Sequence, residues 1–148
     1  MSNLNILITG GCGFIGSHIA LSLKMRDPYC NVYVLDNLVR KGSELNLERL
    51  KNLNIQFIRG DVREPKDFSR ITNCDFIIDA SAEPSVVVGL KENPKYILDN
   101  NLIGTINCLE WARKVKAKFI FLSTSRVYPV KLLEQCDFIE DSTRFSWT

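Results

Sequence analysis

The chain lacks a CxxC or CxxxC pair, carries one histidine, and has no apolar run of the ~18–20 residues that a membrane span needs. Its five cysteines (Cys12, Cys30, Cys74, Cys108 and Cys136) are odd in number and spaced by 18, 44, 34 and 28. That spacing excludes a zinc knuckle and a dense disulfide framework, so small buried thiols in a reducing cytosol are expected. The lone His18 has no cysteine or carboxylate at ligand spacing and reads as a helix-surface or packing residue; no metal site is expected. The first residues, Met-Ser-Asn-Leu-Asn-Ile-Leu-Ile, offer neither the basic start nor the long apolar core of a signal peptide, and a cytoplasmic protein is expected. Charge of one sign is also scarce in excess. Nineteen Lys and Arg against seventeen Asp and Glu leave +2, too little for a general nucleic-acid binder. Repeats, low-complexity tracts and linkers are absent. With 148 residues, 45% hydrophobic and 24% charged, residues 1–148 form one globular domain.

Short apolar runs alternate with amphipathic ones. Strands are expected at Leu4–Thr9, Asn31–Leu35, Ile55–Arg59, Asp75–Asp79 and Lys118–Leu122. Helical spacing covers Phe14–Lys24 (Ile15, Ile19, Leu23), Glu44–Leu53 (Leu47, Leu50, Leu53) and a short piece at Glu64–Ile71. A long helix over Pro94–Val115 would turn Leu98, Leu102, Ile106, Leu109 and Ala112 inward, with Trp111 in the core. Beyond Tyr128 a loop is expected. Continuous apolar strands separated by helices predict an α/β, Rossmann-type, doubly wound parallel sheet buried on both faces, with about five strands. All the loops at the strands' C-terminal ends then share one edge, where such folds bind ligands.

The first of those loops is Thr9-Gly-Gly-Cys-Gly-Phe-Ile-Gly16. Gly10 permits a tight turn, Gly13 lets a backbone approach a pyrophosphate, and Gly16 permits close helix–strand packing. Amides at the start of the following helix, at Phe14 and Ile15, favour phosphate charge. Asp36 ends the second strand twenty residues after Gly16. A carboxylate there accepts ribose hydroxyls and repels a 2′-phosphate, favouring NAD over NADP, although Arg40 and Lys41 lie just downstream. Asp61 is suited either to bond an adenine amino group, with Val62 packing on the ring, or to cap a helix. Small residues at Ala80, Ser81 and Ala82 suit a backbone passing close under a cofactor, and Glu83 is a candidate for a substrate pocket wall. Cys12 sits inside the glycine loop.

Taken together these residues resemble the extended short-chain dehydrogenase/reductase family, the NAD-dependent nucleotide-sugar epimerases and dehydratases. Gly10–Gly16 is similar to that family's cofactor loop, Asp36-Asn37-Leu38 to its ribose-binding strand end, and Gly60-Asp61-Val62 to its adenine contact. Asn101-Leu-Ile-Gly-Thr-Ile-Asn107 resembles the helix whose first Asn faces the active site. Ser123-Thr-Ser-Arg-Val-Tyr128 resembles the family's strand-five motif, which implies that Thr124 is the catalytic hydroxyl. Asp36-Asn-Leu-Val-Arg-Lys-Gly42, Asp79-Ala-Ser-Ala-Glu-Pro-Ser85 and Leu-Ser-Thr-Ser-Arg-Val-Tyr128 carry a narrower likeness to the CDP-paratose 2-epimerase (CDP-tyvelose epimerase) branch. UDP-glucose 4-epimerases, UDP-glucuronate epimerases and dTDP-glucose 4,6-dehydratases share most of that wording. The resemblance implies transient hydride transfer between a nucleotide-sugar and NAD, with a tyrosine as base and a neighbouring lysine lowering its pKa.

The family's Tyr-x-x-x-Lys pair is missing. Tyr29, Tyr33, Tyr96 and Tyr128 all lack a lysine four places on. Family members are roughly twice this length, so the chain is expected to hold the cofactor-binding portion without the substrate domain and to be inactive alone. The alternatives are a non-catalytic NAD-binding or scaffold module and a short-chain reductase of small carbonyls. An uncovered fifth strand would invite self-association or a homo-oligomer through the sheet edge; no membrane or nucleic-acid partner is expected.

Overall fold

The computed structural model describes residues 3–85, 87, 88, 93–124 and 129–148. Five strands, β1 (Asn5–Thr9), β2 (Asn31–Asp36), β3 (Gln56–Arg59), β4 (Phe76–Asp79) and β5 (Lys118–Phe121), pair in the order β3-β2-β1-β4-β5. Every pair is parallel. In β1 the side chains alternate between two cores. Ile6 and Ile8 join Val32, Val34 and Ile78 on one face, while Leu7 joins Leu35 and Ile77 on the other. Helices α1 (Phe14–Arg26) and α2 (Asn46–Asn52) close the first face through Ala20 and Leu50. A 3₁₀ turn at Pro65–Arg70 closes the second through Phe68, together with the helix that follows β4. Burial on both faces explains the unbroken apolar runs of β1, β2 and β4. The outer strands differ: Ile120 and Phe121 of β5 are exposed.

The long helix departs from expectation. It consists of α3 (Lys95–Leu98), a π-helical turn (Asp99–Ile103) and α4 (Gly104–Val115). Leu98, Leu102, Ile106 and Leu109 are exposed, and the buried residues of α4 are Gly104, Cys108 and Ala112. The π turn adds a residue to one turn, which shifts the faces that 3.6-residue counting assigns. The small residues allow close approach: a Cβ on Gly104 would lie 2.7 Å from Val62 Cγ2. Trp111 is half-buried against Phe68, as a core residue should be. The tail also differs. In place of a loop it forms α5 (Val130–Leu133) and an antiparallel hairpin, β6 (Phe138–Glu140) with β7 (Phe145–Trp147). Phe138 and Phe145 meet edge to face across it with ring centroids 5.3 Å apart, a cross-strand aromatic contact that strict periodicity does not reveal. Cys136 is exposed, against the expectation of burial, whereas the other four cysteines are buried. Among the described residues no helix is long and apolar enough to cross a membrane.

Candidate functional site

The loops after β1, β2, β3 and β4 line an open cleft with a cavity volume of about 100 Å³. After β1 the chain turns at Gly10, whose φ of 63° is left-handed and free of strain only for glycine. A Cβ there would also sit 2.7 Å from the Ala80 carbonyl oxygen, so the β4 loop passes directly against the turn. At Gly16 a Cβ would lie 2.3 Å from the Gly10 carbonyl oxygen. Gly16 therefore lets α1 fold back on the loop. The contact with a strand expected of it belongs to Gly11, whose Cβ would meet Val34 Cβ at 2.4 Å.

Gly13 is a different case. Its backbone is extended (φ −69°, ψ 173°), a conformation open to any residue, and the Gly10 carbonyl oxygen at 3.2 Å is the one neighbour a Cβ would meet. Gly13 lines the cleft and is the N-cap of α1 without a side-chain hydrogen bond. The first amides of α1, those of Phe14, Ile15 and Gly16, have no carbonyl within the helix to bond. The side chains of Phe14 and Ile15 are exposed, and Phe14 stacks on the exposed His18 at 4.6 Å.

Asp36 ends β2 and reaches back to this loop. Its Oδ2 accepts the Cys12 amide at 2.9 Å and its Oδ1 the Leu38 amide at 2.8 Å. A carboxylate has about four acceptor positions, so capacity remains toward the cleft that Asp36 lines. Asn46, which the sequence reading passed over, donates from Nδ2 to the Cys12 carbonyl at 2.9 Å and ties α2 to the loop. The Cys12 thiol is fully buried, and burial together with the Asp36 charge pushes its pKa up to about 12.

At the end of β3, Gly60 and Val62 line the cleft. Asp61 accepts Arg63 Nε and the Arg63 amide on Oδ1, each at 2.9 Å, and Arg63 Nη2 (2.7 Å) and Asn37 Nδ2 (2.9 Å) on Oδ2. The Arg63 guanidinium thereby holds the Asp61 carboxyl far below the usual carboxylate range. Helix capping is not its role, since the following 3₁₀ turn is preceded by Glu64. Arg63 also lies 5.6 Å from the centroid of Tyr96, and Tyr96 and Asn100 form a wall of the cleft that sequence reasoning did not find. The signal was weak: both sit on a helix whose faces the π turn displaces.

On the β4 side, Ala80, Ser81, Ala82 and Glu83 line the cleft. Asn101, inside the π turn, accepts the Glu83 amide at 2.7 Å and donates to the Glu83 carbonyl at 3.1 Å, so its side chain clasps that segment. Glu83 in turn lies 4.0 Å from the exposed Arg40 on the β2 side. Thr124 is exposed just past β5, while residues 125–128, with the Val-Tyr pair, fall outside the described residues.

The model of the NAD dependent epimerase/dehydratase family matches residues 6–145. The chain belongs to that family. It is 34% identical over 149 residues to CDP-paratose 2-epimerase of Salmonella typhi, covering 97% of this chain and 43% of that protein. It is 37% identical over 125 residues to UDP-glucuronic acid decarboxylase 4 of Arabidopsis thaliana, covering 84% and 27%. The UDP-glucose-4-epimerase from Stenotrophomonas maltophila, solved with bound NAD, superposes with a TM-score of 0.75 at 26% identity, covering 85% of this chain and 38% of that one. The chain thus spans less than half the length of these relatives and holds a five-stranded parallel Rossmann-type sheet of the family.

Proposed function

We propose that the cleft binds NAD and that the chain is the cofactor-binding portion of a nucleotide-sugar epimerase or dehydratase. The observation that carries this reading is Gly13, which lines the cleft at the uncapped start of α1 beside Asp36 with no side chain over the helix amides. A pyrophosphate fits there against amides with no Cβ between. Asp36, with Asn37, takes the adenosine ribose hydroxyls, and Val62 packs on the adenine. Asp61 is already engaged by Arg63 and Asn37, so it supports the adenine pocket chiefly by holding those two side chains. The β4 segment from Ala80 to Ala82 then flanks the nicotinamide half. NAD supplies the hydride acceptor of the family's chemistry when bound. Thr124 is the hydroxyl that positions the reacting sugar oxygen, and Glu83 and Asn101 form the substrate side.

The likeness over 97% of the chain favours CDP-paratose 2-epimerase as the branch. The chain's four tyrosines lack the lysine partner, and general acid–base catalysis contributes ~10²–10⁴-fold. The 148 residues by themselves are therefore inactive. Fluorescence titrations with NAD and NADP, alongside Asp36→Ala, test the cofactor. NAD should bind more tightly than NADP, and Asp36→Ala should narrow the difference. Equal affinities in the wild type would refute the assignment of Asp36. Incubation with NAD and CDP- or UDP-sugars should yield no epimer, and turnover at the rate of full-length relatives would refute the claim of inactivity.

A further inference from the structure

Asp79 is 1% exposed, yet its carboxylate collects donors from three parts of the chain. Oδ1 accepts Thr9 Oγ1 from the end of β1 at 2.6 Å, and Ser81 Oγ and the Ser81 amide from the β4 loop at 2.6 and 3.1 Å. Oδ2 accepts Thr105 Oγ1 of α4 at 3.0 Å. Thr105 Oγ1 also lies 3.0 Å from the carbonyl oxygen of Asn101, so its one proton is shared between the two acceptors, and Asn101 clasps Glu83. Thr9 and Asp79 are register partners on adjacent strands, so both side chains point to the face that α4 covers. A buried charge is costly unless hydrogen-bonded, and the hydroxyls of Thr9, Ser81 and Thr105 meet that need for Asp79.

From this connectivity, and resting on the NAD reading above, we infer that Asp79 is a positioning residue for the nicotinamide half of the cofactor cleft. It touches no ligand itself. Acting through Ser81 and Thr105, it fastens one end of the segment Ala80–Glu83, while Asn101 fastens the other. The adenosine and pyrophosphate end rests on different groups, Asp36 and the amides of α1, beyond β1 in the sheet. Loss of Asp79 therefore loosens one wall of the cleft and leaves the other in place.

Substitution chemistry makes the claim specific. In Asp79→Asn the retained oxygen keeps the Thr9 and Ser81 donors, and the amide nitrogen donates to Thr105 Oγ1, whose proton then goes wholly to the Asn101 carbonyl. Asp79→Ala removes every one of these bonds. Thr105→Val removes the tie to α4 with little change in shape, and serves should the alanine variant fail to fold. The measurement is calorimetric affinity of the intact 148-residue chain for NAD and for ADP, which lacks the nicotinamide riboside. Asp79→Ala and Thr105→Val should each weaken NAD by about tenfold or more, the effect of one charge-assisted hydrogen bond, and change ADP by less than about threefold. Asp79→Asn should stay within about threefold of wild type for both ligands. Equal losses of NAD and ADP affinity, or no loss in either, would overturn the inference while leaving the NAD reading intact. A wild-type chain that binds neither ligand would overturn both.

Discussion

At the scale of single residues, the cysteines separate by environment. Four are buried and the burial of Cys12 and Cys108 pushes both thiols upward, so neither is nucleophilic near neutrality. One thiol per native chain, Cys136, should react with a disulfide reagent at pH 8, and five should react after unfolding in denaturant. Rapid modification of Cys12 in the native chain would contradict the packing of the glycine loop. Asp61 carries a pH signature. Its folded pKa is depressed below the unfolded value of about 3.9, so its contribution to stability is complete above that value and fades as pH falls through the folded pKa. Asp61→Asn should accordingly be less stable than wild type at pH 7, and the gap should shrink as denaturation is followed below about pH 4. A gap that is constant down to pH 2 would mean that Asp61 and Arg63 do not interact. Much of this level was legible beforehand, because a turn with positive φ, an uncapped helix start and a strand-end acid each have a residue-type signature. Arg63, Asn46 and Asp79 were not so legible. Asn46 and Asp79 act across sequence distances that spacing alone does not span, as with Asn46 and the Cys12 carbonyl, 34 residues apart, whereas Arg63 pairs with Asp61 two residues away, a spacing that no motif singles out.

At the scale of elements, the buried strands were readable since both their faces meet apolar neighbours. The helix after β4 was readable in extent but not in orientation. Of the expected inward stripe of Leu98, Leu102, Ile106, Leu109 and Ala112 only Ala112 is buried, and it is joined by Gly104 and Cys108, residues small enough to bring the helix close. A π turn between α3 and α4 holds Asn101 against Glu83, so the irregularity sits where the cleft needs a side chain re-aimed. The orientation has a direct test. Leu109→Ala should change unfolding free energy by less than about 0.5 kcal/mol, as for a surface site, and Ile77→Ala by about 2–5 kcal/mol, as for a filled core. Comparable losses at the two positions in urea denaturation would place Leu109 in a core it does not occupy here. The hairpin of β6 and β7 escaped the sequence reading for another reason: its strands are three residues each, and β6 is exposed along its length with no alternating burial pattern.

At the scale of the whole molecule, a parallel sheet brings the chemistry of four loops to one edge and leaves two open sides. Among the described residues β5 pairs with β4 alone, and Ile120, Phe121 and Leu122 are exposed. Free ladder groups beside exposed apolar side chains favour pairing with another strand. The 148-residue chain should elute from size exclusion at an apparent mass that rises with loading concentration, and a lysine at Phe121 should suppress the rise. A monomer at every concentration would show that the edge is protected. The central claim concerns the other edge, where Gly13 presents the uncapped start of α1 to the cleft with no side chain in the way. Gly13→Val should still fold, since valine adopts the extended conformation there, but with a lower melting temperature because its Cβ presses on the Gly10 carbonyl oxygen at 3.2 Å. Calorimetric titration of both proteins with NAD decides the matter. Saturable heat with the wild type and none with Gly13→Val is the expected result; equal binding by the two, or no heat from well-folded wild type, would contradict it.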